Sequence, residues 1–519
     1  PVQQGRCGVG MQPPLLVVSA LRAAVLRCFG PRGGSVFFTR DTGDVLVTRH
    51  GQKILRSLQL EHPAARLIVD CVHTHCQIAA DGSKSFLLLL SSLLSEMVSC
   101  CGASWDSATA RRLAQRLLQF CWTGLDDVIA RGVTQRASSL AICGYHGDVV
   151  EGLVRGYMAG RVGDGPAKVL SPLVCRFYQK WSGGVRGAEP VAVIHTHFSL
   201  LHTAVSGLPI GCSGVAEGLV LERDWSAFFE HGPRVEVLVL AASVCPAAEP
   251  GRGCVCDRCV AWPQVCVCAQ QLGACVLLSA AKQPDWVLQW ARRNRVCLAE
   301  CLDPERLDLL CLLGQSRPTP AGRVATATSV RRLVLGGRRL AAVVPAHAPR
   351  AHTLLLCGPG PGPLDQSVSA CRGAVAMLHH VFEEDQSQSP AADCWAEALG
   401  SGRLLPVGGA FELLLHDFLL SSDWTGDPQV SRLLARAVLS VPGALHSHKP
   451  RHFLQLHAHF LRQGSGGPSR PWSGGLESVA AKRQLLSAVL QCAAKLLTVE
   501  TVLRVHAPLR TSRSDEEED

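Results

Sequence analysis

Hydrophobic residues near the start of the chain recur at the spacing of an α-helix, and shorter β-rich runs follow them. Val17, Leu21 and Val25 share one face of the first predicted helix, which Gly30-Pro31 ends. The pattern predicts, in order, an amphipathic helix at 15–29, a hairpin with strands at 36–38 and 45–47, a helix from Pro63, and a strongly apolar helix from Phe86.

The pattern changes character twice along the rest of the chain. Residues 105–160 indicate mostly helix, strand-like runs dominate from about 190 to 357, and helices return afterwards. The strand-like runs are Val191–Ile194, Gly218–Leu221, Val235–Leu240, Cys275–Leu278 and Thr353–Cys357, and the later helices are predicted at 364–382, 409–421, 427–440 and 475–497. The order helical, mixed, helical indicates a mixed segment inserted within a helical domain.

Length and composition bound the number of domains. A chain of 519 residues exceeds the roughly 250–300 residues at which single cores stop growing, so we expect two or three domains. Hydrophobic content of 47% and charged content of 18% are typical of a well-packed globular protein. Segments 384–402 and 464–474 predict loops, and the acidic tail 511–519 predicts disorder. Because the sequence starts at Pro1, we expect its true start to be missing.

The cysteines, the net charge and the apolar runs limit the cellular compartments and the kinds of partner expected for this chain. The 24 cysteines are scattered, so we interpret them as reduced thiols in the cytosol or nucleus. Net charge is +9, but the basic residues are dispersed, which argues against a nucleic-acid partner. The longest apolar run, Phe86 to Leu94, is about half the roughly 20 residues that a bilayer needs, which favours a buried helix over membrane insertion.

Two glycine-containing segments have the chemistry of a phosphate cradle. Glycines in the segment Gly30–Gly34 let the main chain approach a phosphate closely. Asp81 precedes a predicted helix start, where it could bind a metal ion while Ser83 and Ser85 donate their hydroxyl hydrogens. Each segment alone has a simpler interpretation, because Gly-Pro ends many helices and Asp-Gly-Ser caps many others.

The order and spacing of four segments together resemble the start of a group II chaperonin subunit, the family that includes TRiC. These segments are Phe29–Gly33, Gly43–Leu55, Leu60–Ala65 and Asp81–Ser85. The resemblance continues through Gly207–Pro209, Glu217–Trp225, Thr353–Gly358, Pro406–Glu412 and Leu496–Glu500, and it spans nearly the whole chain.

The resemblance implies an α+β multidomain protein with the chaperonin subunit fold. That fold has a helical equatorial domain, an intermediate domain and an α/β apical domain, nested in that order. The implied boundaries are 1–136 and 397–510 for the equatorial domain, 137–193 and 343–396 for the intermediate domain, and 194–342 for the apical domain, followed by the tail 511–519.

The resemblance also implies a nucleotide site for ATP or ADP with Mg²⁺, in which Asp81 holds the metal ion. The implied binding residues are Gly30, Pro31, Gly33, Gly51, Asp81, Gly82, Ser83, Lys84, Ser85, Gly408, Gly409 and Glu500. Lys84 stands where the family has threonine. It could neutralise phosphate charge, as the helix dipole already does there, or it could simply face solvent.

Two departures from the family pattern bear on hydrolysis. The family implies two further carboxylates that orient or activate the attacking water, and these align with His50 and Gly373. Histidine could act as a base, but glycine cannot, and the loss of such groups commonly reduces rates by about 10²–10⁴-fold. We therefore predict little or no ATP hydrolysis and assign no catalytic residue.

Within the family, the resemblance is closest to the chaperonin-like Bardet–Biedl syndrome proteins. The segments that carry it are Glu61–Pro63, Ile68–Val72, Lys282–Asp285, Leu405–Gly409, Glu412–His416, Gly475–Val479 and Gln491-Cys492. This implies a factor that helps assemble the BBSome for ciliary traffic. The implied partners are two sibling chaperonin-like proteins and TRiC subunits, with BBSome subunits as clients. The implied location is the cytoplasm, centrosome or ciliary base. The alternatives are a working ATP-hydrolysing chaperone subunit and a monomeric adaptor that uses only its apical surface.

Two other clusters could hold a metal ion. Cys254, Cys256, Cys259, Cys266 and Cys268 offer five thiols, but their spacing matches no familiar zinc site, and a loop with reduced thiols is the simpler interpretation. Two histidine pairs, His73 with His75 and His195 with His197, have i, i+2 spacing. Such a pair shares one face if it lies on a strand, although surface or half-buried histidines are the simpler interpretation.

Overall fold

The computed structural model describes most of the chain. The described residues are 12–39, 45–101, 106–139, 149–183, 188–245, 259–348, 350–386, 403–421, 424–451, 453–455, 458 and 475–499. The predicted tail 511–519, the predicted loop 464–474, nearly all of the predicted loop 384–402 and the candidate residue Glu500 lie outside these ranges.

The first part of the chain is helical apart from one hairpin. Its helices are α1 (Gln12–Leu26), α2 (Gly51–Arg56), α3 (Pro63–Ala79), α4 (Ser83–Cys101), α5 (Ser107–Gln119), α6 (Leu125–Ile129), α7 (Gln135–Ser139), α8 (Val149–Val162), α9 (Asp164–Ser182) and α10 (Ala188–Thr196). Short π-helical turns join α5, α6 and α7. The predicted hairpin is confirmed, since β1 (Val36–Thr39) pairs antiparallel with β2 (Val45–Thr48).

The middle part carries most of the strands. They are β3 (His202–Ser206), β4 (Gly214–Glu217), β5 (Leu219–Val220), β6 (Val235–Leu240), β7 (Ser243–Cys245), β8 (Cys259–Ala261), β9 (Ala274–Ser279), β10 (Cys297–Ala299), β11 (Arg317–Thr319), β12 (Gly322–Leu335), β13 (Arg338–Pro345) and β14 (His352–Gly358). Three helices lie between them: α11 (Trp262–Leu272), α12 (Asp285–Arg293) and α13 (Pro304–Leu313).

The last part returns to helix. Its elements are α14 (Pro361–Gln386), β15 (Leu404–Pro406), α15 (Ala410–Leu420), α16 (Pro428–Val438), α17 (Ser440–Leu445), β16 (Leu476–Ser478) and α18 (Val479–Thr498). The predicted helices at 364–382, 409–421 and 427–440 are therefore confirmed within a few residues. The one predicted at 475–497 begins four residues later, because 476–478 pair with β15 as a strand.

Helices from both ends of the described chain share one hydrophobic core. The central helix α4 is apolar on most of its surface, and its side chains from Phe86 to Leu90 are at most 3% exposed. Helices α1 and α16 pack on α4, while α18 packs on α3, α4 and α5. The first and last helical segments thus form one body, as the nested order predicts.

The helix α4 is also the only one in the described residues that is long and apolar enough to cross a membrane, over the window Ser83–Cys100. The window is mostly buried inside the protein, as expected for a core helix. The prediction of a buried helix is confirmed, although the apolar segment is longer than the sequence run from Phe86 to Leu94 indicated.

A seven-stranded sheet organises the middle part. Its strand order is β10-β9-β6-β12-β13-β5, with β11 added to β12. Strand β6 is buried on both of its faces. Val235, Val237 and Val239 belong to the hydrophobic core that includes α8, α9 and α14, whereas Leu238 and Leu240 belong to the core that includes α11 and α12. Successive side chains of a strand point to opposite faces, so this run needs helices on both sides of the sheet.

One predicted strand is wrong. Val191–Ile194 lies within the helix α10, where Val191 and Ile194 are both 1% exposed and α10 packs against α14. The β-branched residues favoured a strand, but their i, i+3 spacing fits one face of a helix. The division into equatorial, intermediate and apical domains at the stated boundaries stays a prediction.

We expect Phe86→Ala to lower the free energy of unfolding by about 3–5 kcal/mol, because it leaves a cavity in a fully buried site. Denaturant titration would measure this change. The control is Leu16→Ala, at a side chain that is 69% exposed, which should change stability by less than about 0.5 kcal/mol. Equal effects of the two substitutions would contradict the central position of α4 in the core.

Candidate functional site

A cavity of about 1090 Å³ lies where the first helical segment, the helix α8 and the last helical segment meet. It brings together eight of the residues predicted to bind nucleotide, although they lie up to several hundred positions apart in the sequence. These are Gly30, Pro31, Gly33, Asp81, Gly82, Lys84, Ser85 and Gly408.

Ser83, which is 2% exposed at the start of α4, and the two glycines Gly51 and Gly409 adjoin this lining rather than form it. Gly51 lies behind α4, where a Cβ atom would come within 2.5 Å of the Ser83 hydroxyl oxygen. Gly409 is the N-cap of α15 and packs against Pro442. Their glycine identity is therefore explained by close packing alone, without a ligand.

Asp81 is paired with an arginine that the sequence analysis missed. Arg161 on α8 is 3% exposed, and its Nη2 donates to Asp81 Oδ1 at 2.5 Å and to the Ala80 carbonyl at 3.0 Å. Burial raises the pKa of Asp81, but Arg161, the Gly82 amide and Lys84 outweigh it and lower that pKa overall. Asp81 is thus an ionised carboxylate whose charge is already balanced by the protein.

A signal for Arg161 was present in the sequence. Residues 150, 153, 154, 157 and 158 form the buried face of α8, and position 161 continues the same i, i+3, i+4 series. An arginine on a buried helix face needs a partner, because an unpaired buried charge is strongly unfavourable.

Lys84 is buried, so the alternative that it faces solvent is wrong. Its side chain is held at the start of α4, where Nζ donates to the carbonyl oxygens of Cys28 at 2.8 Å, Gly160 at 3.1 Å and Arg49 at 3.3 Å. Burial and the nearby Arg161 lower the pKa of Lys84 to about 7. Arg161 and Lys84 therefore both border the cavity beside Asp81.

His50 occupies one of the positions where the family has a catalytic carboxylate. Its Nδ1 is buried and has no hydrogen-bond partner among the described residues. Burial, followed by the positive charges of Arg161, Lys53 and Lys84, lowers the pKa of His50 to about 2. A base with so low a pKa accepts a proton poorly near neutral pH, so His50 is a weak substitute for a carboxylate.

Gly373 occupies the second such position, and the space for a side chain there is filled. A Cβ atom at Gly373 would overlap the hydroxyl of Tyr157. That hydroxyl donates to the Ala80 carbonyl at 3.3 Å, and the Tyr157 ring lies 4.9 Å from the Arg161 guanidinium carbon. The same α8 face that holds Asp81 therefore also closes the position of the missing carboxylate.

A second group of buried charges lies around Lys482. Its Nζ donates to Glu412 Oε1 at 2.7 Å and contacts Glu477 Oε2 at 3.1 Å. Glu412 is 2% exposed, and one oxygen of each glutamate is buried with no hydrogen-bond partner in the described part of the chain. Burial, only partly opposed by Lys482, raises the pKa of Glu477 to about 7.

The cavity lining carries a surplus of positive charge. Seven lysines and arginines and three carboxylates line the cavity, and Glu412, which is not part of the lining, also pairs with Lys482. The cations are Arg22, Arg27, Arg32, Lys84, Arg161, Lys449 and Lys482, and the carboxylates are Asp81, Asp164 and Glu477. Such a cavity attracts anions, because low-dielectric walls focus the field of like charges.

The other metal-site candidates receive no support from the described residues, which contain no group of three or more histidine, cysteine, aspartate or glutamate side chains able to hold an ion. Cys254 and Cys256 lie outside the described residues, whereas Cys266 and Cys268 lie on α11 rather than in a loop. His195 ends up on a helix and stacks on His379 at 4.6 Å, so the strand geometry considered for His195 and His197 is wrong.

We expect Glu477→Gln to gain stability relative to the parent as the pH rises from about 4.5 to about 7. The unfolded chain releases this proton near pH 4.5, whereas burial keeps it on the folded protein until about pH 7, so the parent loses stability across that window. Denaturation midpoints at pH 5 and pH 7.5 would measure the difference.

The control for this pH dependence is Glu230→Gln, at an exposed glutamate, which should show no such trend. If the difference in stability between Glu477→Gln and the parent stays constant with pH, folding does not raise the pKa of the Glu477 carboxyl.

Comparison with known proteins agrees with this geometry. Residues 21–151 match the TCP-1/cpn60 chaperonin family. The chain is 23% identical to the BBSome complex assembly protein BBS10 of Homo sapiens, covering 97% of this chain and 98% of that one, and the Mus musculus protein matches equally. T-complex protein 1 subunit alpha of Tetrahymena pyriformis is 36% identical over 77 residues, 15% of this chain and 14% of its own length.

These comparisons confirm the predicted fold class, α+β and multidomain with a chaperonin-like fold, and the predicted resemblance. The matched region contains the hairpin, α3, α4 and Asp81, and it reaches into the start of α8. The chain is therefore similar to a chaperonin-like protein over nearly its whole length, and the segment that matches the TCP-1/cpn60 chaperonin family supplies one wall of the cavity.

Proposed function

We propose that this chain is an assembly factor for the BBSome that binds a nucleotide without hydrolysing it efficiently. The observation that carries the proposal is the similarity over 97% of the chain to proteins named as BBSome complex assembly proteins. A likeness over both helical segments and the inserted sheet favours a shared role of the whole molecule rather than of one module.

Nucleotide binding is supported by the position and charge of the cavity. The chaperonin resemblance implies ATP or ADP at the residues that line it, and its volume of about 1090 Å³ slightly exceeds the roughly 300–1,000 Å³ typical of ligand sites. Its positive surplus suits a phosphate chain, and the N-terminus of α4 adds the positive end of a helix dipole.

Weak hydrolysis is supported by the two altered positions. A neutral His50 with a strongly lowered pKa is a poor base, and Tyr157 fills the space beside Gly373. Phosphoryl transfer depends on a positioned water as well as on charge stabilisation. With neither carboxylate present, the bound nucleotide would act as a structural ligand that stabilises the folded chain.

The proposed partners follow from the same relatives. We propose BBSome subunits as clients, two sibling chaperonin-like Bardet–Biedl syndrome proteins and TRiC subunits as co-assembling partners, and the cytoplasm, centrosome or ciliary base as the location. Neither a nucleic acid nor membrane insertion is part of this proposal.

Co-expression with BBSome subunits tests the assembly role. We expect the yield of assembled complex, measured by size-exclusion chromatography and native mass spectrometry, to rise several-fold when the chain is present. Leu16→Ala should retain this effect, whereas Phe86→Ala should reduce it, because only the second disturbs the shared core. An unchanged yield would overturn the role. A chain that stays monomeric beside every proposed partner would favour the adaptor alternative.

Steady-state phosphate release tests the absence of turnover. We expect almost none from the parent, and no further loss in Asp81→Ala. His50→Asp/Gly373→Asp should stay inactive, because the new side chain at 373 meets Tyr157. Adding Tyr157→Ala should open that space and raise release by about 10²-fold or more.

Thermal unfolding of each variant controls for folding. Asp81-dependent release by the parent at ordinary chaperonin rates would establish the working ATPase instead.

A further inference from the structure

We propose that the cavity takes its anionic ligand without a divalent metal ion, because Arg161 and Lys84 supply the positive charge that a bound magnesium ion would otherwise bring. This inference rests on the proposed function, since it concerns the phosphate chain of the same nucleotide. It departs from the Mg²⁺ that the chaperonin resemblance implies at Asp81.

The first step concerns the carboxylate that would hold the metal ion. Mg²⁺ needs near-octahedral oxygen ligands at 2.0–2.1 Å and is usually held by one or two carboxylates. Asp81 is the carboxylate at that position, and its Oδ1 already accepts a charge-assisted hydrogen bond from Arg161 at 2.5 Å. One of its two carboxylate oxygens is therefore already engaged by a cation before any ion arrives.

The second step concerns repulsion. The side chains of Arg161 and Lys84 are both buried, and the positive charge of each lowers the pKa of Asp81. Like charges repel each other, and this repulsion is screened less where the charged groups are buried. A divalent ion beside Asp81 would meet this repulsion from both cations, so the residues present do not fit Mg²⁺.

The third step concerns the unsatisfied donor of Arg161. The residue is 97% buried and lines the cavity. Its Nη1 has no hydrogen-bond partner within the described part of the chain. A buried donor without an acceptor is unfavourable, and more so when it is charged. A phosphate oxygen in the cavity would satisfy this donor and neutralise the guanidinium at once.

Lys84 has a different part in the site. Its three ammonium hydrogens already have three carbonyl acceptors, at Cys28, Arg49 and Gly160. It therefore acts on an anion through its charge and fixed position rather than through a direct hydrogen bond. Arg161 donates the hydrogen bond to the ligand, whereas Lys84 attracts the ligand by its charge from the first turn of α4.

The charge of the cavity suits an anionic ligand. Its lining has more lysine and arginine side chains than carboxylates, which favours the phosphate chain of a nucleotide. Pyrophosphate and tripolyphosphate share the same chemistry and should compete for the site.

Equilibrium binding of a fluorescent ATP analogue to the full chain, measured in EDTA and in excess Mg²⁺, tests the inference. We expect binding in EDTA at least as tight as in Mg²⁺, with competition by inorganic tripolyphosphate. Binding that tightens about tenfold or more with Mg²⁺ would overturn the metal-free site while leaving nucleotide binding intact. No binding in either buffer would overturn nucleotide binding itself, and the metal-free site with it.

Variants separate the two cations from general destabilisation. We expect Arg161→Leu to weaken binding in EDTA about tenfold or more and to make the remaining binding depend on Mg²⁺, because Asp81 is then released. Lys84→Thr, which restores the residue typical of the family, should shift the dependence on Mg²⁺ in the same direction and serves if Arg161→Leu does not fold. The matched control is Arg116→Leu, which removes an arginine paired with Asp427 outside the cavity and should leave the ratio of the two affinities unchanged. A Mg²⁺ dependence that stays the same in both cavity variants would overturn the assignment.

Discussion

The ion pair between the buried Arg161 and the half-exposed Asp81 is the interaction on which the cavity depends. It joins α8 to the segment before α4, across 80 positions of sequence. Removal of Asp81 would leave the buried Arg161 guanidinium without its carboxylate, which is unfavourable because a buried charge needs a partner. The same guanidinium lies over the Tyr157 ring and lowers the pKa values of His50 and Lys84. One arginine therefore shapes the electrostatics of most of the site.

The nested order of the chain explains why such a pair can form. The shared core of α1, α4, α16 and α18 closes only when the two ends of the chain have come together. Helix α8 lies at the start of the inserted part and packs against α9, α14 and β16, so its inner face reaches the cavity from the other side. A ligand held between these three segments would link the helical body to the insertion. Ligand binding to the folded state alone stabilises that state, which gives a bound nucleotide a use without turnover.

The cavity has two chemically distinct sides. Arg161, Lys84 and the N-terminus of α4 make one side positive, whereas Glu412 and Glu477 surround Lys482 on the other. The structure keeps these groups apart by placing them on different chain segments. Lys482 is paired with two carboxylates, whereas Arg161 keeps a buried Nη1 that an anion can satisfy.

Much of the architecture follows from the sequence alone. The β-rich run Val235–Leu240 predicted a strand, and the apolar run from Phe86 predicted a buried helix. The resemblance carried by the segments around Gly30, Pro63 and Asp81 placed the cradle residues, eight of which do line one cavity. These features are local, since periodicity and turn residues record how each short segment is buried.

Only the tertiary structure decided what the cradle contains. The sequence left Lys84 either at a phosphate or in solvent, assigned Asp81 to a metal ion, and passed over Arg161 and Tyr157. It also assigned 191–194 to a strand, because β-branched residues favour strands when nothing else is known. Which charges meet depends on the packing of helices that are distant along the chain. Local patterns carry no record of such pairs, so the partner of Asp81 and the filled space beside Gly373 became visible only once α8 was packed against the first turn of α4.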